Sequence, residues 1–184
     1  MFDMKLILIR HGESEANRDR KLAIEETKLT QEGIKQAKEA GKKLKEKYKI
    51  DMIFCSPLKR CVETLESILV EYPIEGPVFM CKLLEERDLG EYKGMEMQLI
   101  DLEELDQDNK INDEMGVESW VELKKRTDLF LEDLKLENEN STILVIAHDG
   151  SIRMMINKLT GKSIDEIEVN NAEIMEFEIE TEKV

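Results

Sequence analysis

Apolar residues follow two rhythms along this chain. Short unbroken runs predict buried strands at Met4 to Ile9, Ile50 to Cys55 and Ser141 to Ala147, the last reading STILVIA. Val78 to Leu84 predicts another. Between the runs the spacing is helical. Ile34, Ala37, Gly41, Leu44 and Tyr48 follow a Thr30 N-cap. Leu58, Cys61, Leu65 and Ile68 follow Ser56-Pro57, a cap with proline at the first helical position. Trp120, Leu123, Phe130 and Leu134 mark a long helix that includes Arg126. Ile152, Met155, Ile156 and Leu159 mark another, which Gly161 stops.

Near the end, Met175, Phe177 and Ile179 alternate with Glu176, Glu178 and Glu180. That pattern predicts a half-exposed strand whose acids suit a sheet edge. Strands and helices thus alternate, which predicts an α/β fold: a mostly parallel central sheet, an antiparallel C-terminal edge strand, and helices on both faces in a three-layer α/β/α sandwich. Residues 94–116 break the alternation. Met95 to Val117 carries eight acids against one cation, Lys110. This stretch reads as a helical or loop insertion capping one domain of residues 1–184, a length that suits a single core.

The formal net charge is −15, which disfavours nucleic acid and anionic membranes as partners. A small anion stays compatible, because a basic pocket acts at short range. Cys55, Cys61 and Cys81 form an odd set without C-x-x-C spacing, as expected for buried thiols in a reducing compartment. The N-terminal apolar run is too short to span a membrane and lacks a cleavage pattern, so a cytoplasmic location is expected.

Candidate chemistry collects at strand ends, where open α/β sheets bind ligands. The two histidines, His11 and His148, each terminate a predicted strand. Arg10 adjoins the first, and Arg60 lies one turn into the helix after the second strand. Such a cluster is costly to bury without an anion, and a phosphoryl group suits it. A neutral imidazole can attack phosphorus if its other nitrogen donates to a backbone carbonyl, which a close-packed Gly12 would allow. A carboxylic acid must protonate the leaving oxygen, and LLEERDLGEYKG offers Glu85 and Glu86. Two bland readings compete: each histidine could be purely structural, and two histidines with a carboxylate could form a metal site, although adjacent arginines would repel a cation.

Six blocks resemble, in order, those of the histidine phosphatase superfamily, the phosphoglycerate mutase-like proteins. They are LIRHGESEAN, LTQEGIKQA, SPLKRCVET, LEERDLGEYKG, GVESWVELKKR and VIAHDGSIR. The resemblance implies that His11 is the nucleophile that becomes phosphorylated. Arg10, Asn17, Arg60 and His148 would hold the phosphate, together with the backbone amide of Asp149. Glu86, by its spacing to Gly90, would be the proton donor. It implies no metal and no cofactor, a small phosphorylated metabolite as substrate, and a metal-independent phosphomonoesterase of the histidine acid phosphatase type.

Asp149 stands where the family usually has a small residue, and its side chain is expected to face solvent. A 2,3-bisphosphoglycerate-dependent mutase is the alternative. Mutases match at Glu86-Arg87, but they are longer and bring substrate-holding cations that the acidic insertion lacks. A non-catalytic phospho-ligand binder is a third reading. No pattern in the chain specifies its oligomeric state.

Overall fold

The structure, a computed structural model, describes residues 4–137 and 140–180. Five strands form one sheet: β1 (Met4–Arg10), β2 (Met52–Cys55), β3 (Val78–Met80), β4 (Ser141–Ala147) and β5 (Ile174–Ile179). Their spatial order is β3-β2-β4-β1-β5. All neighbours are parallel except β5, which runs antiparallel to β1 at the edge. The expected α/β/α sandwich is present.

The continuous apolar runs have a simple origin. Side chains alternate across a strand, and here both faces are covered. Leu6 and Leu8 join Ile143 and Val145 on one face, under Phe130 and Leu131 of α6 (Trp120–Glu137) and Ile152 and Met155 of α7 (Asp149–Thr160). Ile7 and Ile9 join Leu144 and Ile146 on the other, over Leu44 of α2 (Gln31–Lys47) and Cys61, Leu65 and Ile68 of α3 (Lys59–Glu71). These strand residues are fully buried. Each is worth about 1.5–3 kcal/mol in transfer from water.

Helix ends follow the sequence in two places. The Thr30 hydroxyl caps α2 by accepting from the Gly33 amide at 3.0 Å. Gly161 closes α7 in the left-handed conformation, φ 73°. Two expectations need correction. Ser56 is not the cap of α3. Leu58 holds that place without a side-chain bond, and the Ser56 hydroxyl turns to His148 instead. The predicted strand from Val78 to Leu84 ends at Met80. The chain then tightens into a 3-10 turn, Lys82–Leu84, which drives Leu84 into the core while Val78, Phe79 and Met80 stay exposed.

Residues 94–116 hold single-turn helices, including Leu102–Leu105 and Lys110–Glu114. Side-chain caps from Asp101 and Asn109 start them, and the buried Asn112 amide donates to the carbonyls of Glu104, Leu105 and Gln107. No helix among the described residues is long and apolar enough to cross a membrane.

Candidate active site

β1 and β4 lie side by side, with Arg10 in register with Ala147. Their carboxyl ends therefore deliver His11 and His148 to one point. The rings meet edge to face with centroids 5.2 Å apart. A cavity of about 590 Å³ opens above them. Its wall includes His11, Arg10, Asn17, Arg60, Glu86 and Asp149. His148 is fully buried beside His11.

The His11 Nδ1 lies 2.7 Å from the Gly12 carbonyl. A carbonyl only accepts, so Nδ1 carries the hydrogen and Nε2 keeps its lone pair. Burial, reinforced by the Arg60 guanidinium, holds the His11 pKa well below the usual histidine value. The ring is therefore neutral and nucleophilic. Gly12 must be glycine because a Cβ there would lie 2.4 Å from the Gly33 carbonyl oxygen. At Gly33, a Cβ would lie 2.0 Å from the Glu13 carbonyl oxygen. The His11–Gly12 loop and the start of α2 thus touch backbone to backbone.

Burial, with Arg60 and His11, also depresses His148. Its Nε2 is 2.8 Å from the Ser56 hydroxyl and 3.4 Å from the Cys61 sulfur. Arg60 is 3% exposed and donates to the Ile24 carbonyl at 3.1 Å. Arg10 donates to the Val169 carbonyl at 2.7 Å, while its buried Nε has no acceptor among the described residues. Asn17 Oδ1 accepts from the Ser14 amide and hydroxyl at 3.0 and 2.9 Å, which leaves Nδ2 for a ligand.

Asp149 departs from its expected pose. Its carboxylate is 3.5 Å from Arg10 Nη1 and 3.7 Å from Arg153 Nη1. Pairing with two guanidiniums is what makes an acid tolerable beside an anion pocket, and it also braces Arg10.

Of the two neighbouring acids, Glu86 has its carboxylate held by main-chain amides. Oε1 accepts from Gly150 and Arg87, each at 3.0 Å. Desolvation raises its pKa, against the opposing effects of the Arg87 amide and Arg60. A carboxyl whose proton persists to higher pH suits general acid work.

Sequence reasoning placed Arg126 only as a helical cation, yet it organises the acid's loop. It donates to the carbonyls of Leu83, Glu85 and Glu86 at 2.7, 2.8 and 3.0 Å, and it grips Glu118 in a fork at 2.6 and 2.8 Å. The signal was the GVESWVELKKR block, which contains both partners. Among the described residues no group of three or more His, Cys, Asp or Glu is placed to hold a metal.

Comparison with known proteins places the chain in a family. A Schizosaccharomyces pombe protein named "Probable phosphatase" is 32% identical over 155 residues, covering 83% of this chain and 71% of that protein. The 2,3-bisphosphoglycerate-dependent phosphoglycerate mutase of Nitrobacter hamburgensis is 39% identical over 98 residues. That match spans 52% of this chain and 47% of the mutase. An Entamoeba histolytica phosphoserine phosphatase mutant, solved with phosphoserine, superposes with a TM-score of 0.75 at 28% identity, covering 95% of this chain and 90% of that one. The sequence model of the histidine phosphatase superfamily (branch 1) matches residues 6–184, and the chain belongs to that superfamily.

Proposed function

We propose that this protein is a phosphomonoester hydrolase that works through a phosphohistidine on His11, with residues 94–116 forming the cap of its single domain. The lone pair on His11 Nε2 attacks phosphorus, an N–P bond forms, and the ester P–O bond breaks. Glu86 gives its proton to the departing oxygen. Water then attacks the phosphohistidine, Glu86 takes the proton back, the N–P bond breaks, and orthophosphate leaves. Arg10, Arg60, His148 and the Asn17 amide would stabilise the equatorial oxygens. The backbone amide of Asp149 would add a further donor. The supporting observation is the fixed His11 tautomer beside a buried guanidinium, Arg60, a half-buried one, Arg10, and a protonatable carboxyl in one cavity. No step draws on a metal, and the substrate class is a small phosphorylated metabolite.

The test is turnover of a chromogenic aryl phosphate in the presence of a chelator. Activity that persists with chelator and is lost in His11→Ala supports the reading, together with acid-labile phosphate on His11 after rapid quench. Failure to hydrolyse any of a broad panel of phosphate esters overturns it. The mutase relative motivates the second reading. It requires bisphosphate-dependent interconversion of 2- and 3-phosphoglycerate, measured in the same preparation.

A further inference from the structure

Beyond the phosphoryl end, the cavity has a second half where a leaving group would lie, and two of its cations, Arg87 and Lys93, already face carboxylates. Arg87 is 6% exposed. It donates to the carbonyls of Glu118 and Leu105 at 2.7 and 3.1 Å. Its Nη2 faces Asp108 at 3.6 Å, and its guanidinium stacks on Trp120 at 4.4 Å. Lys93 is bound between Glu25 at 2.8 Å and Asp88 at 3.1 Å. Lys21, exposed at the rim, has no carboxylate partner shown among the described residues. The same wall carries Leu22, Leu58, Met97, Leu102 and Trp120, and the acids Glu103 and Asp106.

A second anion on the substrate would lose hydration against the apolar wall and find the Arg87 guanidinium already facing Asp108 and tied to two carbonyls, with only its Nη2 lacking a hydrogen bond among the described residues. It would also meet Glu103 and Asp106 across a short distance, within the screening length. An uncharged group with an apolar body meets no such penalty and covers the leucines and the indole. We propose, building on the phosphatase reading above, that this site selects monophosphate esters of uncharged alcohols or phenols with an apolar body, and discriminates against esters that bear a carboxylate or a second phosphate.

Matched ester pairs test this. One pair is 4-carbamoylphenyl phosphate with 4-carboxyphenyl phosphate; the other is the phosphate esters of 3-hydroxypropanamide and 3-hydroxypropanoate. The neutral member should have a kcat/KM roughly tenfold higher in each pair. Leu102→Lys places a cation on the wall at a residue that is 47% exposed, so the fold should tolerate it. It should shift the ratio toward the carboxylate at least about threefold, whereas Leu102→Gln should not. Glu103→Gln should give a smaller shift in the same direction. Equal turnover of the two members, or a preference for the carboxylate, overturns the inference and leaves the phosphatase reading standing. Turnover of no ester in either pair removes the phosphatase reading, and the inference with it.

Discussion

Gly150→Ala separates the acid from the rest of the machinery. Gly150 lies in the first turn of α7, and its amide holds Glu86. A Cβ at this position would sit 2.5 Å from Glu86 Oε1, about 0.9 Å inside the 3.4 Å at which ordinary contact begins. The next neighbour, Leu123 Cδ2, is at 3.4 Å, so the carboxylate is the group that must move. It is the far end of a flexible side chain and can move cheaply, while alanine favours the helix by about 0.5–1 kcal/mol. Stability should therefore be unchanged or slightly higher. Catalysis should not be, because a displacement of about 1 Å at a reacting group costs on the order of 100-fold, or about 2.7 kcal/mol.

The loss should fall mainly on alkyl phosphates, whose leaving oxygen needs the proton. An activated aryl ester, whose oxygen leaves without help, should lose far less. The assay is kcat/KM on one ester of each kind, with thermal melting as control. Retention of alkyl ester turnover within about threefold would refute the reasoning. An equal loss on both esters would refute it too, by placing the damage on the phosphoryl pocket.

Three other expectations follow from the same contacts. Because desolvation raises the Glu86 pKa, kcat/KM for an alkyl ester should fall as pH rises through that raised value, and Glu86→Gln should remove this limb from the pH profile. His11 and His148 are held neutral when folded, so below about pH 6.5 the unfolded chain binds protons that the native one does not. Stability should then fall with decreasing pH, by up to about 1.4 kcal/mol per pH unit for each histidine, and urea titrations of the parent and His11→Asn/His148→Asn at pH 7.5 and 5.5 measure the difference. Arg126→Met strips three carbonyls and Glu118 of their donor, so it should lower the melting temperature and reduce alkyl ester turnover more than aryl; an unchanged ratio of the two would make Arg126 purely structural.

The sheet was legible because its innermost strands are buried on both faces and so read as unbroken apolar runs. The histidines were legible because those runs end at them, at the ligand-binding edge of such sheets. Four features were not. The Ser56 hydroxyl obeys a tertiary demand from His148 where local capping rules expected a helix start. Leu84 had to reach the core from an exposed edge strand, which forced a turn inside an apolar run. Asp149 read as a solvent-facing anomaly because Arg10 approaches it only once α7 is packed against β1, although Arg153, one turn along the same helix, was within reach of an i,i+4 reading. The segment 94–116 showed no periodicity because single-turn helices, tied by Asn112 and the side-chain caps of Asp101 and Asn109, bury too few residues to repeat.

The strand order has a consequence for how the molecule loosens. His11 and His148 hang from strands flanked on both sides, whereas the wall opposite is assembled from single turns. Amide exchange should be slowest around the former and fast around the latter. Mild heat or urea would therefore alter which esters are admitted before it alters whether phosphorus is attacked. Breathing of this protein would first surface as a loss of selectivity, with chemical competence surviving until the whole sheet comes apart.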